Sequence, residues 1–330
     1  MNLQLDLKEL LNSFSANSNQ DKIHENVLEL FQRDQQYSSI TQNVCSSYPK
    51  SIIVPKQNKY KFDQSVTRVR DRFIVPVIFC KDYTIFRSST LSNELSASSQ
   101  LALKFTLDNP WTVLKEGRAL EINQMEEYRI STIFDLMVEN EKSKYGLNVT
   151  TSEKIIEEYK VFQIFSIPYP GVEFFKHAAK CNDLSSFYPN WDLHSTESPA
   201  FTDFKEWDLV TITKNYLEFM LLNNETKLIH CISGWDRTPL FISLMRLALW
   251  SKGRIHQTLD PREILYLTIA YDWMLFGHLL EQRRKSGDDI FHFQFRFLRH
   301  LNDPKLDKVA DLFDSVYVPV RTKYFYEFWK

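Results

Sequence analysis

Residues 227–244, KLIHCISGWDRTPLFISL, decide the reading of this chain. A short apolar run ends at Cys231, a polar turn covers 232–237, and an amphipathic helix runs from Thr238 to about 252, closed by Gly253. Strand, tight loop and helix in that order make the unit at which an open α/β sheet binds ligands, beyond the C-terminal end of the strand. A loop so placed points several backbone N–H groups into one concavity, backed by the positive end of the helix dipole. That cradle suits a phosphate dianion, and the same field favours a thiolate over a thiol at Cys231.

Each loop residue has a chemical reading. Gly234 lets the backbone curl without a Cβ clash. Arg237, six residues after the cysteine, can present a planar fork to two phosphate oxygens and hold the charge that spreads in the transition state. Asp236 can protonate a leaving oxygen and then activate water against a phosphocysteine. Ile232, Ser233, Gly234 and Trp235, with Thr238, are the expected substrate-binding positions. Thr238 either bonds the thiolate or caps the helix. Trp235 is either a packing residue or a rim for substrate, and His230 reads as a structural neighbour more readily than as a base. Asp192, Asp203 and Asp208, upstream of the loop, are alternative acids to Asp236.

Outward from this segment, helix and strand patterns alternate. Leu209, Ile212, Tyr216, Phe219 and Met220 share one helical face before the strand. Asp260, Pro261 and Glu263 open a long helix with a capping pattern. FHFQFRF (291–297) alternates like a strand, but its setting among helices makes it helical. Upstream, FIVPVIFC and YTIFR read as two strands linked at Lys81 and Asp82, and ISTIFDLMV and VFQIFSIPYPG as two more. Thr150, with Glu153 three residues on, reads as the start of a helix. Residues 21–33 form an amphipathic helix. The pattern is that of an α/β fold, a largely parallel central sheet flanked by helices. The expected division is an N-terminal lobe or extension over 1–80 and a phosphatase domain over 81–330.

HCISGWDRTPLFISL resembles the active-site signature of the myotubularin-related phosphatases, whose usual form is HCSDGWDRT. RDRFIVPVIF, FRSSTL, FDLMVENEKSKYGLNVTTSEK, SIPYPGVEFFK and ILYLTIAYDWMLFGH resemble a divergent member of that family, so the likeness runs from about residue 70 to about 300. FRSSTL and EYRISTIFDL also resemble the opening strands of dual-specificity phosphatase domains. The resemblance implies a cysteine-phosphatase-like fold and a 3-phosphatase acting on phosphatidylinositol 3-phosphate and the 3,5-bisphosphate. By position it makes Cys231 the nucleophile, Arg237 the phosphate-binding arginine and Asp236 the acid, with no metal and no cofactor. Ser233 stands where the family usually has aspartate, which removes one candidate acid and one contact to the inositol ring. The family's usual N-terminal lipid-binding module is not recognisable in 1–80. A protein tyrosine or dual-specificity phosphatase would use the same cysteine and arginine, and a catalytically silent scaffold is the reading from another class.

Composition bounds the partners. The chain has 330 residues, 43% hydrophobic and 25% charged, with a formal net charge of −2. No global positive field draws it to nucleic acid, so attraction to a polyanion must be local. No run of eighteen uncharged apolar residues suggests a transmembrane helix. Four scattered cysteines form neither a zinc spacing nor a disulfide framework, and the expected setting is cytoplasmic, with peripheral contact to phosphoinositide headgroups at membranes. Arg283, Arg284 and Lys285, and Lys56, Lys59 and Lys61, are two basic groups suited either to a lipid surface or to solvent.

Overall fold

The computed structural model describes residues 5–14, 20–34, 36–58, 60–62, 67–93, 110–138, 143–144, 147–148, 150–178, 200–201, 203–288 and 290–317. Asp192, Cys181 and Lys59 lie outside these.

Helices α1 (Leu7–Ser13) and α2 (Gln20–Gln32) precede an antiparallel hairpin, β1 (Tyr37–Thr41) and β2 (Ser51–Pro55). A second hairpin follows, β3 (Val75–Phe79) and β4 (Thr84–Ser89). Then come β5 (Leu91–Ser92), α3 (Pro110–Glu127), β6 (Thr132–Asp135) and the two-residue strands β7 (Ser143–Lys144), β8 (Leu147–Asn148) and β9 (Thr150–Thr151). The chain continues through β10 (Gln163–Ser166), α4 (Val172–Ala178), α5 (Leu209–Leu222), β11 (Lys227–Cys231) and α6 (Arg237–Ser251). It closes with α7 (Pro261–Leu267), α8 (Leu280–Ser286), α9 (Ile290–Phe297) and α10 (Pro304–Val316).

The central sheet has the order β10–β6–β11–β4–β3. Its first four strands are parallel, and β3 is antiparallel at the edge. An edge tolerates Pro76, which lacks an N–H for the ladder. β11 is therefore the middle strand, and every one of its residues is buried. The α/β reading with a mainly parallel sheet is correct.

Helix α6 is buried along its whole length except the last residue, Ser251, so it runs as a core helix behind the loop rather than as an amphipathic one. Asp260 caps α7 through the expected box: its side chain accepts from Arg262 and Glu263 N–H, and Glu263 reaches back to Asp260 N–H. Beyond Leu267 the helix widens into π-type turns over Thr268–Leu275. Residues 291–297 are helical, within α9.

Thr150 does not open a helix. It lies in β9, paired antiparallel with β5 through Leu91↔Thr151 and Ser92↔Thr150. The cap is Ser152, whose hydroxyl accepts from Lys154 N–H at the head of a 3₁₀ turn, Glu153–Ile155. Long-range strand pairing outweighs the local capping pattern here, and two adjacent β-branched threonines suit a strand.

The residues before 80 share the main core. Leu7, Val27, Leu30, Phe31, Ile52 and Ile53 pack in one cluster with Leu244, Tyr271 and Phe313, and β3 itself ends at Phe79.

Candidate active site

Because β4, β6 and β11 run parallel, their C-terminal ends converge. Cys231 ends β11 and is 2% exposed; its carbonyl accepts from Thr90 N–H, just beyond β4, at 2.9 Å. The loop folds back over the sulfur. Gly234 N–H donates to Cys231 Sγ at 3.2 Å and the Thr238 hydroxyl donates at 3.1 Å. Burial alone would push the thiol up, but the charge of Arg237 and the Thr238 hydroxyl and N–H outweigh it, holding Cys231 below the ordinary thiol range.

Gly234 has φ +67°, and a Cβ there would meet Ser88 O at 2.8 Å. The glycine is thus required twice, by backbone sign and by close approach to β4. Arg237 opens α6, and its Nη1 donates to Leu136 O at 2.8 Å and Tyr169 O at 3.2 Å. Those carbonyls follow β6 and β10. They aim the guanidinium while leaving the rest of its fork without protein partners among the described residues.

Asp236 is held from two sides. Arg283 donates to both carboxylate oxygens, at 3.1 and 2.7 Å, and His278 Nδ1 lies 3.2 Å from Oδ1 and 3.0 Å from Trp235 O. Burial would raise this carboxyl, but the hydrogen bond and charge of His278, with Arg283, hold it below the usual carboxylate range.

A cavity of about 600 Å³ opens over the loop. Cys231, Ile232, Ser233, Trp235, Asp236 and Arg237 line it; Gly234 and Thr238 sit beneath, bonded to the sulfur. Arg70, Lys176 and Arg283 add positive charge, and Glu173 is its second carboxylate. Arg70 lies with its guanidinium 3.9 Å from the centre of the Trp235 ring and takes φ +59°. Trp235 is thus both packed and a wall of the cavity.

Two of the three alternative acids, Asp203 and Asp208, fall elsewhere. Asp208 caps α5, accepting from Thr211 N–H at 2.7 Å, and Asp203 is exposed; neither lines the cavity. His230 points behind the loop and is fully buried. Its Nε2 lies 3.0 Å from Glu153 Oε2 and its Nδ1 3.8 Å from Asp135 Oδ1. Burial disfavours the imidazolium, yet the two carboxylates outweigh it and raise its pKa. Glu153 also pairs with Arg68 and is lowered to about 2, burial notwithstanding, by His230 and Arg68. Asp135, Glu153 and His230 have metal-ligand types within reach of one another. Arg68 divides its guanidinium between Glu153 and Glu121, while His230 lies between Glu153 and Asp135.

Arg70, Arg72, Arg87, His278 and Glu173 were not singled out by the sequence reading. Arg87 carried a signal, as the charged residue in YTIFRSS, where a charged group in a strand is buried only with partners. Arg283, one of a basic trio suited by sequence either to a lipid surface or to solvent, turns into the site and bonds Asp236.

A buried cysteine of depressed pKa at the C-terminal end of a central parallel strand, a five-residue loop bonded back onto its sulfur and an arginine at the head of the next helix define the architecture of the cysteine-dependent phosphatases. No family model matches the chain. It is 37% identical over 351 residues to the mouse (Mus musculus) phosphatidylinositol-3,5-bisphosphate 3-phosphatase MTMR14, covering 87% of this chain and 54% of that protein. To the human (Homo sapiens) protein of the same name it is 36% identical over 375 residues, covering 90% and 58%. A phosphoinositide 3-phosphatase of Saccharomyces cerevisiae matches over 78 residues at 35% identity, 23% of this chain and 10% of that protein. The chain belongs to the myotubularin-related phosphatases, and it spans somewhat more than half the length of the mouse and human relatives.

Proposed function

We propose that the chain is a phosphoinositide 3-phosphatase acting on phosphatidylinositol 3-phosphate and phosphatidylinositol 3,5-bisphosphate. The observation that carries this is the cavity itself: a depressed thiol at its floor, Arg237 beside it, and Arg70, Lys176 and Arg283 around its wall. One phosphate needs one such arginine, whereas an inositol ring bearing several phosphates needs cations at several points. The names of the mouse and human relatives agree with that substrate class.

In this reading Cys231 Sγ attacks the phosphorus of the 3-phosphate, and the P–O bond to the ring oxygen breaks. Arg237 holds the equatorial oxygens. Asp236 gives its proton to the leaving oxygen, then takes one from the water that attacks the phosphocysteine, so that inorganic phosphate leaves and the thiolate is restored. His278 and Arg283 hold the Asp236 carboxyl low; a phosphate dianion beside it shifts the carboxyl back toward its acid form.

Membrane contact is peripheral and cytoplasmic in this account. Among the described residues no helix is long and apolar enough to cross a membrane. The cavity rim carries Leu279, 46% exposed, next to the cationic wall, which suits an interface between headgroup and acyl chains. Of the basic trio, Arg283 is the member in the cavity wall, while Lys285 pairs with Glu281 at 2.7 Å.

The test is kinetic competition between a short-chain phosphatidylinositol 3-phosphate and a phosphotyrosine peptide. The expected kcat/KM is at least 100-fold higher on the lipid. Faster turnover of the peptide would move the chain to the protein phosphatases with Cys231 and Arg237 in the same roles.

A further inference from the structure

Beneath the catalytic loop lie two arginines that form no ion pair among the described residues. Arg72 precedes β3 and Arg87 lies in β4; they are 0% and 1% exposed. Both donate to one acceptor, the carbonyl of Gly234, at 3.1 and 2.9 Å. Their remaining partners are also neutral. Arg72 donates to the Ser47 hydroxyl at 2.8 Å and to Phe276 O at 2.9 Å, and Arg87 to Asp272 O at 2.7 Å. The rings of Tyr48 and Phe276 face the two guanidinium carbons at 4.5 and 4.4 Å. The Asp272 carboxylate bonds neither, since Arg246 takes both its oxygens, and it reaches Arg87 only through space. Among the described residues the Nε–H groups of both arginines have no acceptor.

A buried cation is ordinarily paired, because desolvation without a counter-charge is costly. Two side by side on one carbonyl require an anion nearby, and the anion this fold offers is at the loop they hold. We propose that Arg72 and Arg87 are positioning residues of the phosphatase site, clamping Gly234 and serving as the buried counter-charge of the Cys231 thiolate and of the bound phosphate. Their neutral partners leave the positive charge uncompensated, so it acts across the loop. Drawing density from the Gly234 carbonyl also strengthens the N–H at the far side of the same peptide, that of Trp235, as a donor. The strained burial agrees with this. Arg87 is pushed down to about 10 by desolvation and by Arg72, and the Cys231 thiolate is among the charges that favour both cations.

The other charges facing Cys231 are accounted for. Arg237 opens α6, Asp236 is neutralised by Arg283 and His278, and His230 behind the strand is matched by Glu153 and Asp135.

The inference rests on the phosphatase reading, but its test needs no lipid. The rate of iodoacetamide alkylation of Cys231, followed on its own peptide by mass spectrometry, is measured against pH. Arg72→Gln and Arg87→Gln keep a donor for Gly234 and lose the charge. Each is expected to move the thiol midpoint up by about one pH unit, which is about tenfold slower alkylation below the midpoint. Arg72→Lys and Arg87→Lys keep the charge and are expected to overlay the wild-type profile. Glutamine variants with native circular dichroism and an unshifted profile would overturn the proposal. If the glutamine variants do not fold, the lysine variants decide: an overlaid profile supports the counter-charge role, and a midpoint raised by a unit or more contradicts it.

Discussion

Arg237→Lys is expected to lower kcat by at least about 1,000-fold, some 4 kcal/mol of transition-state stabilisation. The substitution keeps a positive charge and loses the shape. Nη1 of Arg237 is fixed by Leu136 O and Tyr169 O, so the planar fork is oriented before substrate arrives. A lysine ammonium satisfies one of those carbonyls and cannot span two phosphate oxygens at once. KM should change far less than kcat, because the lost contacts strengthen as charge spreads over the equatorial oxygens. Cys231 should stay reactive toward iodoacetamide, since a cation remains beside the sulfur. Steady-state kinetics with alkylation on the same preparation separates the effects. A Lys variant within tenfold of wild type would mean that the fork is not what holds the phosphate.

The second large effect is expected at Gly234. In Gly234→Ala the new methyl would sit 2.8 Å from Ser88 O, on a backbone already at φ +67°. Strain of that conformation and the clash with β4 together cost roughly 2–4 kcal/mol. The loop has no slack to absorb this, because the Gly234 carbonyl is held by Arg72 and Arg87 and its N–H by Cys231 Sγ. Thermal unfolding should shift down, and the affinity for vanadate, which occupies the cradle, should fall at least tenfold. An alanine variant with unchanged Tm and vanadate inhibition would show that the loop is looser than its contacts imply.

Local chemistry made much of this molecule legible in the sequence. Strand, loop and helix around Cys231, the β3–β4 hairpin and the Asp260 capping box all depend on neighbours within a few residues. FHFQFRF has the alternation of a strand, yet it is helical because its surroundings are helices. What escaped was long-range. Gly234 meets Arg72 and Arg87 across 162 and 147 residues, and Asp236 meets Arg283 across 47. No periodicity records such pairings. Thr150 shows the same limit, since its partner strand is β5, almost sixty residues away. Read alone, Arg283 in RRK is a helix-end cation; folded, it turns inward because α8 passes over the loop and Asp236 faces it.

The central claim is that Cys231 carries out 3-phosphate hydrolysis on inositol lipids. It is tested most directly by phosphate release from a panel of short-chain phosphoinositides, each differing in the ring positions phosphorylated, with the parent chain beside Cys231→Ser. The account predicts release from the 3-phosphate and the 3,5-bisphosphate, none from lipids lacking a 3-phosphate, and loss of all release in the serine variant. Release that persists in Cys231→Ser, or that comes equally from lipids without a 3-phosphate, would contradict it.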